Sequence, residues 1–102
     1  MYLVQILLPL YDNDGIPLAR EEIDSVRRAL TKRFGGVTAY SRTPAQGTWR
    51  DEDGKVHHDD VVVVEVMTAE IERAWWAEYR KSLCARFRQT EIVVRAMPIE
   101  SL

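Results

Sequence analysis

Two hydrophobic periods run along this chain, one of two residues and one of about four, and they divide it into alternating strands and helices. Tyr2 to Leu8 is a run of β-branched and aliphatic side chains stopped by Pro9, which predicts a strand. Asp12-Asn13-Asp14-Gly15 followed by Pro17 predicts a loop over Leu10 to Leu18. From Ala19 to Lys32 the period changes, and Ile23, Val26, Leu30 and Phe34 share one helical face. Acids at Glu21, Glu22 and Asp24 open that helix, bases at Arg27, Arg28, Lys32 and Arg33 close it, and Gly35-Gly36 supplies the stop.

Val37 to Arg42 predicts a second strand, broken by Thr43-Pro44-Ala45-Gln46-Gly47. Thr48-Trp49-Arg50 and Lys55-Val56-His57 flank Asp51-Glu52-Asp53-Gly54, and the Asp-Gly step predicts a hairpin inserted around residues 48-58. Val61 to Met67 predicts a third strand. Ala69 to Arg88 predicts a second helix, with Ile71, Trp75, Tyr79, Leu83 and Phe87 spaced by four. Glu91 to Met97 predicts the last strand, closed by Pro98.

The order β-α-β-hairpin-β-α-β reduces, without the hairpin, to a split βαβ pattern. The expected fold is therefore a ferredoxin-like βαββαβ sandwich of the α+β class, one domain over residues 1-102. Its sheet is four-stranded and antiparallel, with two helices on one face. By analogy with that fold, the first strand lies between the third and the last.

Alternation then sorts the strand residues by face. Val4, Ile6 and Leu8, Val62, Val64 and Val66, and Ile92, Val94 and Ala96 are expected under the helices. The opposite face receives Leu3, Gln5 and Leu7, Val61, Val63, Glu65 and Met67, and Val93, Arg95 and Met97. A face left in water should be mostly polar, and this one is mostly apolar, which marks an interface or a ligand groove. Its polar residues fall one per strand, as Gln5, Glu65 and Arg95. They read either as an ion pair bridged by glutamine inside a dimer contact or as a solvent-accessible site. Thr38, Tyr40 and Arg42 are expected on the same face, with Trp49 and Arg50 at its rim, where an indole beside a guanidinium suits an anionic or aromatic ligand.

Composition narrows the classes. The chain has 102 residues, 46% of them hydrophobic, with Lys+Arg 14 against Asp+Glu 16, a net charge of -2. That length suits one domain, and the charge balance argues against a broad nucleic-acid surface. Cys84 is the only cysteine, so no intrachain disulfide forms. No apolar run reaches the ~20 residues a spanning helix needs, and the apolar start has no basic n-region, so a cytoplasmic protein without a membrane partner is expected.

Candidate chemistry is sparse. His57-His58-Asp59-Asp60 offers metal-ligating side chains, but alternation leaves two on each side, short of a zinc set, so no metal and no cofactor is expected. No phosphate-binding glycine loop, nucleophile elbow or Cys-x-x-Cys occurs. Arg73, Arg80, Lys81, Arg86 and Arg88 interleave with Glu70, Glu72 and Glu78, which reads as a solvated face with local ion pairs. Trp76 is expected at a rim of the core.

Several short stretches carry a resemblance: Phe34-Gly35-Gly36-Val37-Thr38, Gly47-Thr48-Trp49-Arg50, Asp53-Gly54-Lys55-Val56, Tyr79, and Phe87-Arg88-Gln89-Thr90-Glu91-Ile92-Val93. Over about Arg33 to Arg95 the chain resembles a family of small bacterial domains of unknown function. These show Phe-x-Gly-[Leu/Val]-Thr, a Gly-Gln-Trp hairpin and a late Phe-x-Gln. Thr48 stands where that family has glutamine, and Asp59 or Asp60 stands in for its hairpin-end acid. The resemblance implies an α+β fold and no particular reaction.

Two functions follow as expectations. The first is a homodimeric binding module without catalysis, its open sheet faces paired and a small ligand or protein held by Gln5, Tyr40, Arg42, Trp49 and Arg50. The second is a cofactor-independent enzyme of the dimeric α+β barrel kind, with Glu65, His57 or His58 as acid or base and Arg95 or Arg42 holding an anionic substrate.

Overall fold

The computed structural model describes residues 1-41, 46-57 and 59-102 in full. The elements are β1 (Tyr2–Pro9), α1 (Arg20–Phe34), β2 (Thr38–Arg50), β3 (Val56–Thr68), α2 (Arg73–Arg86) and β4 (Val94–Pro98). The sheet is four-stranded in the order β2-β3-β1-β4, and every pairing is antiparallel. Among the described residues no helix is long and apolar enough to cross a membrane.

The core forms because period-two strands and period-3.6 helices present apolar stripes to the same layer. In β1, Val4, Ile6 and Leu8 are buried, and the register sets them against Val66, Val64 and Val62 of β3. Ile23, Val26 and Leu30 of α1 close over them, with Trp76, Leu83, Phe87 and Ile92 from the second half of the chain. α1 starts at Ala19 without a side-chain cap and carries Glu21 and Glu22 in its first turn. It ends where Gly35 takes a left-handed φ of 82° and donates its N–H to the Thr31 carbonyl at 2.8 Å.

The inserted hairpin is not a separate element. β2 and β3 are single strands of 13 residues each, and the hairpin is their outer end, turning at Asp51 to Lys55. The expected break began at Thr43-Pro44-Ala45, which lie outside the described residues. β1 pairs with β3 only as far as Val61, so beyond that point β2 and β3 run on as a two-stranded ribbon. Strands of this length span ~43 Å, in line with a longest dimension of 41 Å for the molecule. The last strand is also shorter than expected. Ile92 is buried, Val93 still accepts the Leu7 N–H at 3.0 Å, and β4 begins at Val94.

α2 presents a different face from the one its spacing suggested. Trp76 and Leu83 are its buried residues, whereas Trp75 and Tyr79 are half-buried at the flank. A strict spacing of four drifts by ~40° per step, because a helix turns every 3.6 residues. Leu83 and Phe87 of that row are fully buried while Ile71, Trp75 and Tyr79 pack against the core from its flank, and the positions 76, 83 and 87 follow the buried centre better. Trp76 is thus a core residue: it stacks on Phe34 at 5.3 Å and meets Trp75 edge-on at 4.8 Å. Trp75 in turn stacks on Tyr79 and carries the Arg33 guanidinium at 4.0 Å from its ring. The Tyr79 hydroxyl is buried without a hydrogen-bond partner, and burial raises its pKa.

Asp12 fastens the β1–α1 loop. It is 8% exposed, and its Oδ1 accepts the backbone N–H groups of Asp14 and Ile16, each at 2.9 Å. Its Oδ2 accepts Arg88 Nε at 3.2 Å. Arg88 takes a positive φ of 51° just past α2, the only non-glycine among the described residues to do so. Beside it Gln89 donates to the Tyr11 carbonyl at 2.8 Å.

Replacing Phe87 by Ala should cost about 3–5 kcal/mol in urea unfolding, because that ring is fully buried. Tyr79→Phe removes an unsatisfied hydroxyl and should leave the midpoint unchanged or higher. The Ile16 amide, opposed by burial and helped by the Asp14 amide and Arg88, holds the Asp12 carboxyl below its ordinary range. The stability it contributes is therefore complete above about pH 4, the unfolded value, and lost as pH falls through the lower folded value. Urea midpoints measured between neutral and acid pH should fall less steeply in Asp12→Asn than in the parent.

Candidate functional site

The face of the sheet away from the helices carries the expected polar residues, and the register brings them into one line. Gln5 of β1 lies opposite Glu65 of β3 on one side and Arg95 of β4 on the other. Gln5 Nε2 donates to Glu65 Oε1 at 2.7 Å, and Arg95 Nε donates to Gln5 Oε1 at 2.8 Å. The amide relays between the two charges, accepting from the guanidinium and donating to the carboxylate. Tyr40 of β2 sits opposite Val63, one diagonal step from Glu65, and its hydroxyl donates to Glu65 Oε2 at 3.2 Å. Both carboxylate oxygens are thereby engaged. The bond and the negative charge of Glu65 raise the Tyr40 pKa. Four side chains on four strands thus form the continuous row Tyr40–Glu65–Gln5–Arg95.

Apolar groups flank this row on both sides. Leu3, Leu7, Val61 and Val63 are half-buried. Met67 is 58% exposed, Val93 46% and Met97 39%. The two helices pack on the other face, and no described element of this chain covers this one.

A second cluster lies at the outer end of the ribbon. Trp49 stacks on His57, with ring centroids 4.3 Å apart and planes 13° from parallel, as direct partners across β2 and β3. Trp49 Nε1 donates to Asp59 Oδ2, and His57 Nε2 is 2.8 Å from Asp51 Oδ2. Asp51 Oδ1 accepts the backbone N–H groups of Asp53 and Lys55 at 3.0 and 2.9 Å, closing the turn. The His57 hydrogen bond, then the Lys55 amide, lowers the Asp51 pKa. Trp49 is 49% exposed and plugs no part of this chain's core. Arg50 is exposed beside it, opposite Val56.

The candidate residues therefore separate into two groups. Glu65, Arg95, Gln5 and Tyr40 come together, and Trp49, Arg50 and His57 do not join them. His57 and Glu65 are eight positions apart on one strand, about 26 Å at ~3.3 Å per residue, so they do not act on one substrate within a chain. Arg42 and His58 lie outside the described residues. Among the described residues no three His, Cys, Asp or Glu side chains gather as a metal site. Cys84 is half-buried in α2.

Sequence reasoning passed over two groups. Asp51, in the turn between β2 and β3, anchors His57, while Asp59, weighed in the sequence only as a metal ligand or hairpin-end acid, holds Trp49. The basic residues of the second helix are also not uniform. Lys81 pairs with Glu78, Arg86 reaches Glu22 and Ser25, and Arg88 reaches Asp12. Arg73 and Arg80 have no acidic partner among the described residues.

No family model matches the chain, and no curated protein matches its sequence. The motif resemblance to small bacterial domains thus has no family model behind it. Solved structures do match. A phage SAM lyase in complex with S-methyl-5'-thioadenosine superposes with a TM-score of 0.65 at 16% identity, over 94% of this chain and 79% of that one. CutA1, the divalent cation tolerance protein of Thermus thermophilus, gives 0.65 at 18% identity, over 99% and 86%. CutA1 from Pyrococcus horikoshii gives 0.62 at 15%, over 100% and 86%. At these identities the likeness is one of fold: this is a small α+β domain of the CutA1 type.

Substituting Asp51 by Ala should loosen the ribbon end alone. It removes two backbone hydrogen bonds, so amide exchange at Lys55 and its neighbours should rise by about tenfold or more. The amides of β1 should keep their protection.

Proposed function

We propose that this chain is a binding module completed by a second copy of itself, the two open sheet faces packed together in a ferredoxin-like homodimer. The observation that carries the reading is the row Tyr40–Glu65–Gln5–Arg95 set within an apolar field. Its charge is directional, with the acid on β3, the guanidinium on β4 and the neutral amide between them. A two-fold axis running along β1 in the plane between two copies turns that direction around. Arg95 of each copy then faces Glu65 of the other, and the Leu, Val and Met side chains around the row cover each other. An interface of this kind is self-complementary, as closed two-fold assemblies require. Charges inside it stay hydrogen-bonded, which such burial demands.

The rim of the assembly is the place for a small anionic or aromatic ligand. Trp49 and Arg50 project there on the ribbon, beyond the paired faces. The enzymatic alternative would draw its acid or base from Glu65 with Tyr40 beside it, because His57 is too far along the strand.

The test is the molar mass in solution by light scattering and sedimentation at micromolar concentration. Two chains per particle are expected. Val63→Arg should give a folded monomer. Glu65→Arg alone should weaken association by at least about tenfold, since like charges would then meet, and Glu65→Arg combined with Arg95→Glu should recover it. A parent chain that stays monomeric, or a double exchange that recovers nothing, rules the reading out.

A further inference from the structure

A cleft of about 290 Å³ opens on the helix side of the sheet, between α2 and the free edge of β4. Its apolar wall is Val4, Trp76, Ala77, Val94 and Ala96. Its charged side chains are Arg73 and Arg80, with no acidic residue in the lining; Arg95 also borders it, but its guanidinium is held by Gln5 on the other face. This is unusual in a chain whose net charge is -2 and whose other helical arginines mostly hold carboxylates.

Three features of the cleft favour an anion. Arg73 and Arg80 are seven positions apart on α2, so they project from one side of the helix about 10.5 Å apart along its axis, close enough for two long side chains to converge. The first turn of α2 begins beside the cleft and carries no acidic side chain, and the carboxylate of the N-cap Glu72 is engaged by Arg33. Finally, β4 pairs with β1 through Val93 and its odd-numbered neighbours. In an antiparallel ladder this turns the N–H groups of Val94 and Ala96 outward along the open edge.

We infer that this cleft binds a small ligand that joins a phosphate or carboxylate to a flat apolar group. The anion lies between Arg73 and Arg80, and the apolar part rests on the wall at Trp76 and Val94. The site is separate from the paired-face reading, since it lies on the other side of the sheet and meets that face only at Arg95, on the strand edge. A volume of about 290 Å³ suits a molecule of this size. Affinity comes from guanidinium hydrogen bonds to the anion, which exceed those between neutral groups. Selectivity comes from the apolar wall, which a bare anion cannot use.

Phenyl phosphate, inorganic phosphate and phenol serve as probes, titrated into the full chain and followed by the backbone amide resonances of Val94 and Ala96. Phenyl phosphate should give saturable shifts with a Kd at least about tenfold below that of inorganic phosphate, because a buried ring adds its own transfer free energy. Phenol should give none. Arg73→Gln and Arg80→Gln should each raise the Kd for phenyl phosphate about tenfold, whereas Arg20→Gln, at the start of α1, should leave it unchanged. The same spectra report whether each variant is folded, and Arg80→Lys stands in should Arg80→Gln unfold. No saturable shift on β4, equal affinity for the two phosphates, or affinity indifferent to both arginines overturns the proposal.

Discussion

A chain of this length makes one sheet and two crossover helices, and two helices cover one face. Every other property of the molecule follows from that limit. The face under the helices takes the even-numbered residues of β1 and β3, and it is filled to near-complete burial. The face left over takes the odd-numbered ones, which are nearly as apolar. Apolar surface of this extent is costly in water. The strands therefore present two apolar faces, of which the helices cover one.

The polar row fits that circumstance. A fully apolar open face would pack on any greasy surface in any orientation. A single line of hydrogen-bonded polar groups restricts the choice, because an occupant must offer matching charges or leave a guanidinium and a carboxylate desolvated. The glutamine at the centre is suited to its place. It accepts at one end and donates at the other, so it links the two charges across a strand spacing too wide for direct contact.

How much of this was legible in the sequence depended on the range of the signal. The residue alternation in Val4 to Leu8 and Val61 to Met67 carries which side chains meet, so the core and the row Gln5–Glu65–Arg95 could be read from it. Once β1 was placed between β3 and β4, the row was set by register. The ends of elements and the phase of irregular strands were not readable in this way. The hairpin was expected as an insert, whereas it is the outer end of β2 and β3, whose pairing register shifts between Tyr40 and Ala45. Trp76 was missed as a core residue for a geometric reason, since a row spaced by four winds around a helix that repeats at 3.6. The Trp49–His57–Asp51 cluster depends on cross-strand partners that only the register of the ribbon supplies.

Arg88 shows local preference and distant contact in opposition. Its left-handed backbone would suit glycine, and a survey of turn propensities would place glycine there. A glycine, however, has no arm to reach the loop after β1, 76 positions earlier in the chain, where the Asp12 carboxylate is shielded from water. Attempts to idealise this chain by relieving that residue would therefore untie the first loop from the last helix, trading a small local gain for a carboxylate held by its own loop alone.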